Sequence, residues 1–441
     1  DKLRLLVEQS ELWIYKKKDN KDLNEPSDPK SPLSKHMESM SPTKSKTATF
    51  KFQSPPKSTG GAENADPFVL QELDDGPELE QSAILKYKEL YKILSNMIKL
   101  CVNEVTYPNG QVKKKARKND QRLLRNMGVH NIVLDLTKIS YERGEDKRMR
   151  IIMKTAHQFL QNFCYSNAHN QALLHEKIDF SHYPSNEFEA TTATYIFKDN
   201  AMLCNELNER LIQNFIHALE HQHHVGQQES KVPYLEFLQA ICIIDGHEVK
   251  KCQDMIIAEL MNSDIINFSA DKTHIDELCM LMQKQSYPQT QEEVSLEPTS
   301  SQQLQFHINL IKVLISCTMG KNTFTEIKCH TILPLEDIEK IVTYKHCLIQ
   351  VKQTYVNFLY HCHIDTENET KEIFTQQYIW SMFDNFIKDI SLVAPGRVER
   401  EYTDRQLETY VAEIIVEVVT GFFSHSQFSQ IPTPQVSLEH N

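Results

Sequence analysis

Apolar residues recur at three- and four-residue intervals through most of this chain. From residue 81, Ile84, Tyr87, Leu90, Tyr91, Leu94, Met97, Ile98 and Cys101 form one broad stripe, the spacing of an amphipathic helix. The same period predicts helices over 148–165, 170–178, 200–221, 232–244, 249–261 and 275–285. It resumes over 304–318, 324–330, 335–343, 347–362, 371–392 and 404–423. Helix starts carry fitting residues: Asp271 and Thr403 precede apolar runs, and Pro334 precedes LEDIEKIV with its early acidic residues. Residues 1–15 place Leu3, Leu6, Val7, Leu12 and Trp13 at roughly helical spacing. A helix that short is marginal alone and needs a packing partner. Opening at Asp1 inside such a pattern reads as a piece of a longer polypeptide. No run alternates convincingly enough to predict a strand.

The pattern breaks at three places. Residues 16–80 are rich in Lys, Ser, Pro, Asp and Glu and poor in aliphatics, so they cannot offset their ordering entropy. They are expected to form a disordered regulatory insert, with early lysines and then an acidic stretch from Glu63 to Glu80. Residues 286–301 read as a polar linker and 426–441 as a flexible tail. Between these lie a helical domain at 81–285 and a continuing helical region at 302–425, with 1–15 closing a preceding element. Many helices with short connections imply an all-α fold, an armadillo/HEAT-like helical solenoid with a long disordered insert. A general helical bundle is the structural runner-up, because no repeat consensus stands out.

Composition supports helices and narrows the partners. Only 11 of 441 residues are glycine, too few for glycine-rich nucleotide-binding folds or sharply turned sandwiches. Hydrophobic residues make up 40%, enough for a real core, and no window approaches a membrane span. A formal charge of -12 argues against bulk nucleic-acid binding. Ten cysteines, mostly single within apolar runs and without CxxC, read as buried reduced thiols.

Against that acidic background one basic cluster stands out: Lys113, Lys114, Lys115, Arg117, Lys118, Arg122 and Arg125. It lacks the interleaved aromatics that single-stranded nucleic acid requires. A solvated helix face meeting an acidic surface is the expected role, and the 63–80 stretch could supply that surface in cis. Ser31, Ser41 and Ser54 each precede proline, and the latter two have lysine three positions on. They are candidate substrates for proline-directed kinases, where phosphate would offset the local positive charge. Histidines cluster at His217, His221, His223 and His224, and again with Cys362 and Asp365 at His361 and His363. Zinc takes four tetrahedral ligands, and neither cluster has a matching distant pair. No metal or catalytic residue is therefore assigned, and the absence of GxSxG, P-loop and GxGxxG motifs argues against an enzyme.

Longer stretches carry a resemblance. QRLLRNMGVHNIVLDL at 121–136 and AHQFLQNFCYSNAHNQALLH at 156–175 resemble the RIH-type helical region of inositol 1,4,5-trisphosphate receptors. The likeness continues through 203–220 and 234–263, and is most specific in the run GKNTFTEIKCHTILPLEDIEKIV that opens 320–374. LVEQSELWIY at 6–15 is similar to a family stretch that precedes a variable loop. The resemblance implies a scaffold and coupling segment of a tetrameric, ligand-gated calcium-release channel, on the cytoplasmic side of the endoplasmic reticulum membrane. Its partners would be other domains and subunits of a homo- or heterotetramer. It implies no cofactor in this segment, with calcium and inositol trisphosphate acting on the whole receptor. The alternative is a free-standing cytosolic helical interaction module.

Overall fold

Helical periodicity matures into helices almost everywhere the spacing is sustained. The computed structural model describes residues 1–17, 66–106, 112–221, 230–266, 273–286, 298–367, 373, 375–393 and 405–424. They belong to two units, Asp1–Asn96 with Lys138–Ile152 and Met97–Thr137 with Met153–Asn441. Among the described residues no helix is long and apolar enough to cross a membrane.

The first unit contains α1 (Lys2–Glu8), α2 (Pro67–Glu72) and the first part of α3 (Gln81–Cys101). Trp13 is 2% exposed; its indole donates to the Leu6 carbonyl at 3.2 Å and meets the Tyr87 ring edge-on. The Tyr87 hydroxyl donates to the buried Asp146 carboxylate at 2.8 Å, and Asp146 also accepts from the Met149 amide. Burial first, then the Asp146 charge, raises the Tyr87 phenol above its usual range. Residues 66–80 correct the expected boundary of the insert. Asp66 caps α2 by accepting from Phe68, Pro67 sits in its first turn, and Leu73 is fully buried.

Arg148 holds that segment. It is only 2% exposed, and its guanidinium donates to the carbonyls of Leu73, Asp74 and Pro77 at 2.8 to 2.9 Å. Gly76 has a φ of +141°, and a Cβ there would lie 3.0 Å from Arg148 Nη1. The close approach and the backbone conformation both favour glycine. Residues 18–65, including most of the expected insert, lie outside the described residues.

The second unit begins with an antiparallel hairpin, β1 (Val102–Thr106) and β2 (Val112–Ala116), where no strand was expected. Then come α4 (Lys118–Asn126), α5 (Val129–Thr137), the later part of α6 (Lys147–Cys164), α7 (Ala168–Lys177) and α8 (Glu187–Phe197). The expected 200–221 helix is two, α9 (Ala201–Glu206) and α10 (Glu209–His221), broken at Leu207, whose ψ is 133°. Next are α11 (Val232–Cys242), a hairpin of β3 (Ile243–Ile244) and β4 (His247–Glu248), and α12 (Lys250–Met261). The series ends with α13 (Thr273–Ser286), α14 (Pro298–Thr318), α15 (Thr323–Ile332), α16 (Leu335–Val342), α17 (Ile349–Leu359), α18 (Gln377–Val393), α19 (Arg405–Thr409) and α20 (Val416–Ser424).

Within this unit α8, α11, α14 and α17 pack side by side in one row, while α10, α12 and α15 form a second. That two-row stack is the all-α, solenoid-type arrangement expected. First-row helices are covered on more than one side, so their apolar residues spread round the helix: Tyr234, Leu235, Phe237, Leu238 and Ile241 of α11 are all fully buried. Helix α8, absent from the periodicity, is rich in threonine. Thr191, Thr192 and Thr194 return their hydroxyls to carbonyls four residues back.

Consecutive helices are tied by one recurring device. Gln121 of α4 donates to the Asn162 and Tyr165 carbonyls and accepts from Asn167. Gln171 of α7 donates to the Tyr195 and Lys198 carbonyls and accepts from Asn200. Gln253 of α12 donates to the Ser316 and Met319 carbonyls and accepts from Asn322. Every glutamine is buried, and each asparagine stands at the N-terminal cap position of the helix that follows, α7, α9 or α15. Ser166, Asp199 and Lys321, immediately before those asparagines, all have positive φ and turn the chain. Cys204 and Glu326 occupy the corresponding position, four residues past the cap, in α9 and α15.

Two outcomes follow. Arg148→Met removes the donor from one buried and two part-buried carbonyls and should cost about 3 kcal/mol; Arg148→Lys should recover little of it, because an ammonium cannot reproduce the fork. Faster hydrogen exchange at residues 66–80 would report the loss. In the second unit His157 donates from Nδ1 to the Thr192 hydroxyl at 3.0 Å, and burial lowers its pKa to about 4. Between an unfolded pKa near 6.5 and that value, the unfolded chain binds the extra proton, so stability falls as pH falls. The loss should approach roughly 3 kcal/mol by pH 4. Denaturant titrations across that window should show a shallower pH slope for His157→Gln.

Candidate functional site

Side chains alternate across a strand, and this alternation divides the basic cluster. Lys113 and Lys115 face one side of β2 and Lys114 the other, where it stands opposite Glu104 of β1. All three are exposed, as are Lys118 and Arg122, which lie one turn apart on α4. The expected single helix face is therefore a strand plus a helix.

Two members serve the fold. Arg117 pairs with Asp120 at 2.7 Å and donates to the Lys99 carbonyl; Arg125 donates to Asn170 at 2.8 Å. Lys115, Lys118 and Arg122 are exposed, as is Lys113, while Lys114 is set apart on the other face of the strand. The acidic stretch has partners in its own unit: the Asp74 carboxylate meets Lys88 at 2.6 Å, and its carbonyl accepts from Arg148. Ser31, Ser41 and Ser54 lie outside the described residues.

The histidine clusters fare differently. His217 lies on α10, whereas His223 and His224 fall outside the described residues. In the second cluster Asp365 turns to Lys321 at 3.1 Å, and burial lowers the His361 pKa. His330 of α15 comes in instead, beside Cys362 and His363. Nothing in the spacing pointed to it, because it lies a full helix pair upstream. All ten cysteines are free and eight are buried. Burial raises the Cys101, Cys204 and Cys252 thiols to about 12, far from the thiolate that nucleophilic chemistry needs.

The division of the basic cluster is measurable. Arg125→Ala removes a half-buried charge-assisted hydrogen bond and should cost about 1–2 kcal/mol. Lys118→Ala, exposed, should stay within about 0.5 kcal/mol. Chemical denaturation of both variants would separate scaffold from contact surface.

Comparison with known proteins gives this architecture a lineage. Residues 91–271, from α3 through α12, match the RIH domain family. The chain is 27% identical over 383 residues to the inositol 1,4,5-trisphosphate receptor itr-1 of Caenorhabditis elegans. That alignment takes in 85% of this chain and 12% of the nematode protein, so the chain spans a small part of its relative's length. The RIH match falls inside the same span, so over most of its length the chain is similar to one part of an inositol 1,4,5-trisphosphate receptor.

Proposed function

We propose that this chain is a coupling segment of an inositol 1,4,5-trisphosphate-gated calcium-release channel, on the cytoplasmic side of the endoplasmic reticulum. In that role it hands ligand-induced displacement toward the pore, and its partners are neighbouring domains and subunits of the assembly. The supporting observation is the chain of buried amides. Gln171 joins α7 to the end of α8 and the start of α9, and Gln253 joins α12 to the end of α14 and the start of α15. A helix pair tied in this way at its turn cannot shift without pulling on the helix that holds it. Apolar contacts alone would let the pairs slide, since burial is non-directional. Transmission of small rigid displacements through packed helices is a recognised form of conformational coupling. The exposed Lys113, Lys115, Lys118 and Arg122 offer a neighbouring acidic domain a place to dock.

The test is a full-length receptor carrying Gln253→Leu, which fills the volume but leaves the Ser316 and Met319 carbonyls without their donor. Inositol trisphosphate binding should be unchanged, while the concentration giving half-maximal calcium release should rise about fivefold or more. An unaltered release curve in a receptor whose segment is measurably looser by hydrogen exchange would refute the relay.

A further inference from the structure

Helix α17 does not end as an α-helix. Residues Tyr360–Ile364 form one π-helical turn, a widening that recurs at functional sites because the added residue re-aims the side chains around it. Here the turn carries Cys362 and His363 to the side of His330 on α15. The three offer ligand atoms that all lie within 4.8 Å of one another. The two imidazoles are face to face, with centroids 4.4 Å apart and 15° between planes.

Ordinary packing leaves part of this arrangement unexplained. His363 Nε2 is buried and has no hydrogen-bond partner, although a buried polar atom left unpaired is costly. The ring is also hydrogen-bonded to the Leu333 backbone. A histidine held by backbone through one nitrogen, with a bare nitrogen facing a thiol and a second imidazole, is in the state that metal ligation uses. Cys362 is fully buried, and its thiol is hydrogen-bonded to that of Cys329. His330 is only half-buried, giving a route from solvent.

We propose that His330, Cys362 and His363 form a zinc site, with the fourth tetrahedral position taken by water. Two nitrogens and one sulfur suit a borderline-soft divalent ion, and three protein ligands plus water make an open site. His330 supplies the distant ligand that the His361–Asp365 cluster lacked. Asp365, paired with Lys321, is not part of the set. Tetrahedral ligation needs donor atoms about 3.5 Å apart, so the site closes by rotating His330. That rotation gives up the contact of its Nε2 with the Cys362 carbonyl at 2.6 Å. Binding forms two Zn–N bonds and one Zn–S bond and releases the Cys362 thiol proton to solvent. No electron transfer is involved.

The whole chain, stripped of metal, is titrated with Co²⁺ and then Zn²⁺. One equivalent of Co²⁺ should produce a thiolate-to-cobalt charge-transfer band in the near ultraviolet, and Zn²⁺ should bleach it. Affinity should fall about tenfold per pH unit on the acid side, because the thiol must lose its proton. His330→Gln and His363→Gln should each weaken binding on the order of a hundredfold or more, with helical circular dichroism unchanged, while Cys279→Ser should leave it intact. No charge-transfer band in the wild-type chain overturns the site, whatever the variants do. A band that persists in both histidine variants overturns the ligand assignment. The titration does not involve calcium release, so its outcome is independent of the relay.

Discussion

A helix ends with carbonyls that have no partner within it, and a stack of helices buries those ends against one another. Everything in the larger unit answers to that constraint. Gln121, Gln171 and Gln253 close the ends of α6, α8 and α14 with two donated hydrogen bonds each. Each uses its remaining oxygen to fix the asparagine that opens the next helix. One side chain thus satisfies two carbonyls and sets the angle at which the chain re-enters the stack. Leucine or methionine there would contribute as much apolar area and leave the carbonyls unpaired.

The smaller unit meets the same constraint with a different residue. Arg148 directs three donors at the carbonyls that follow α2, and Gly76 leaves room for the guanidinium. An acidic, proline-containing segment is ordered here by a cation borrowed from a helix far along the chain. The Asp146–Tyr87–Tyr15 hydrogen bonds beside it pin the ends of the same unit. In both units, burial supplies the bulk of the driving force and polar crosspieces choose among the packings it would permit.

Substitution at the crosspiece position shows how far the device can drift. In α9 it is Cys204, whose thiol donates to the Phe197 carbonyl, and in α15 it is Glu326, which accepts from the Glu367 amide at 3.4 Å. Burial raises the Glu326 carboxyl above its usual range. The segments between successive crosspieces also differ in length. An irregular spacing filled by glutamine, cysteine or glutamate is invisible as a repeat consensus, although the structure uses it as one.

Helix type, approximate helix limits and the all-α class were legible in the order of residues, because a 3.6-residue apolar period is a local property. The family stretches were legible for a similar reason, being contiguous. Helix α8 escaped because its threonines show little amphipathic contrast, and the β1–β2 hairpin because its lysines mask alternation. Tertiary structure alone decided that residues 66–80 fold on Arg148, that the seven basic residues divide between a strand and a helix, and that His330 meets Cys362 and His363. Each depends on which residues distant in the chain become neighbours, and that is set by packing, which the local spacing does not record.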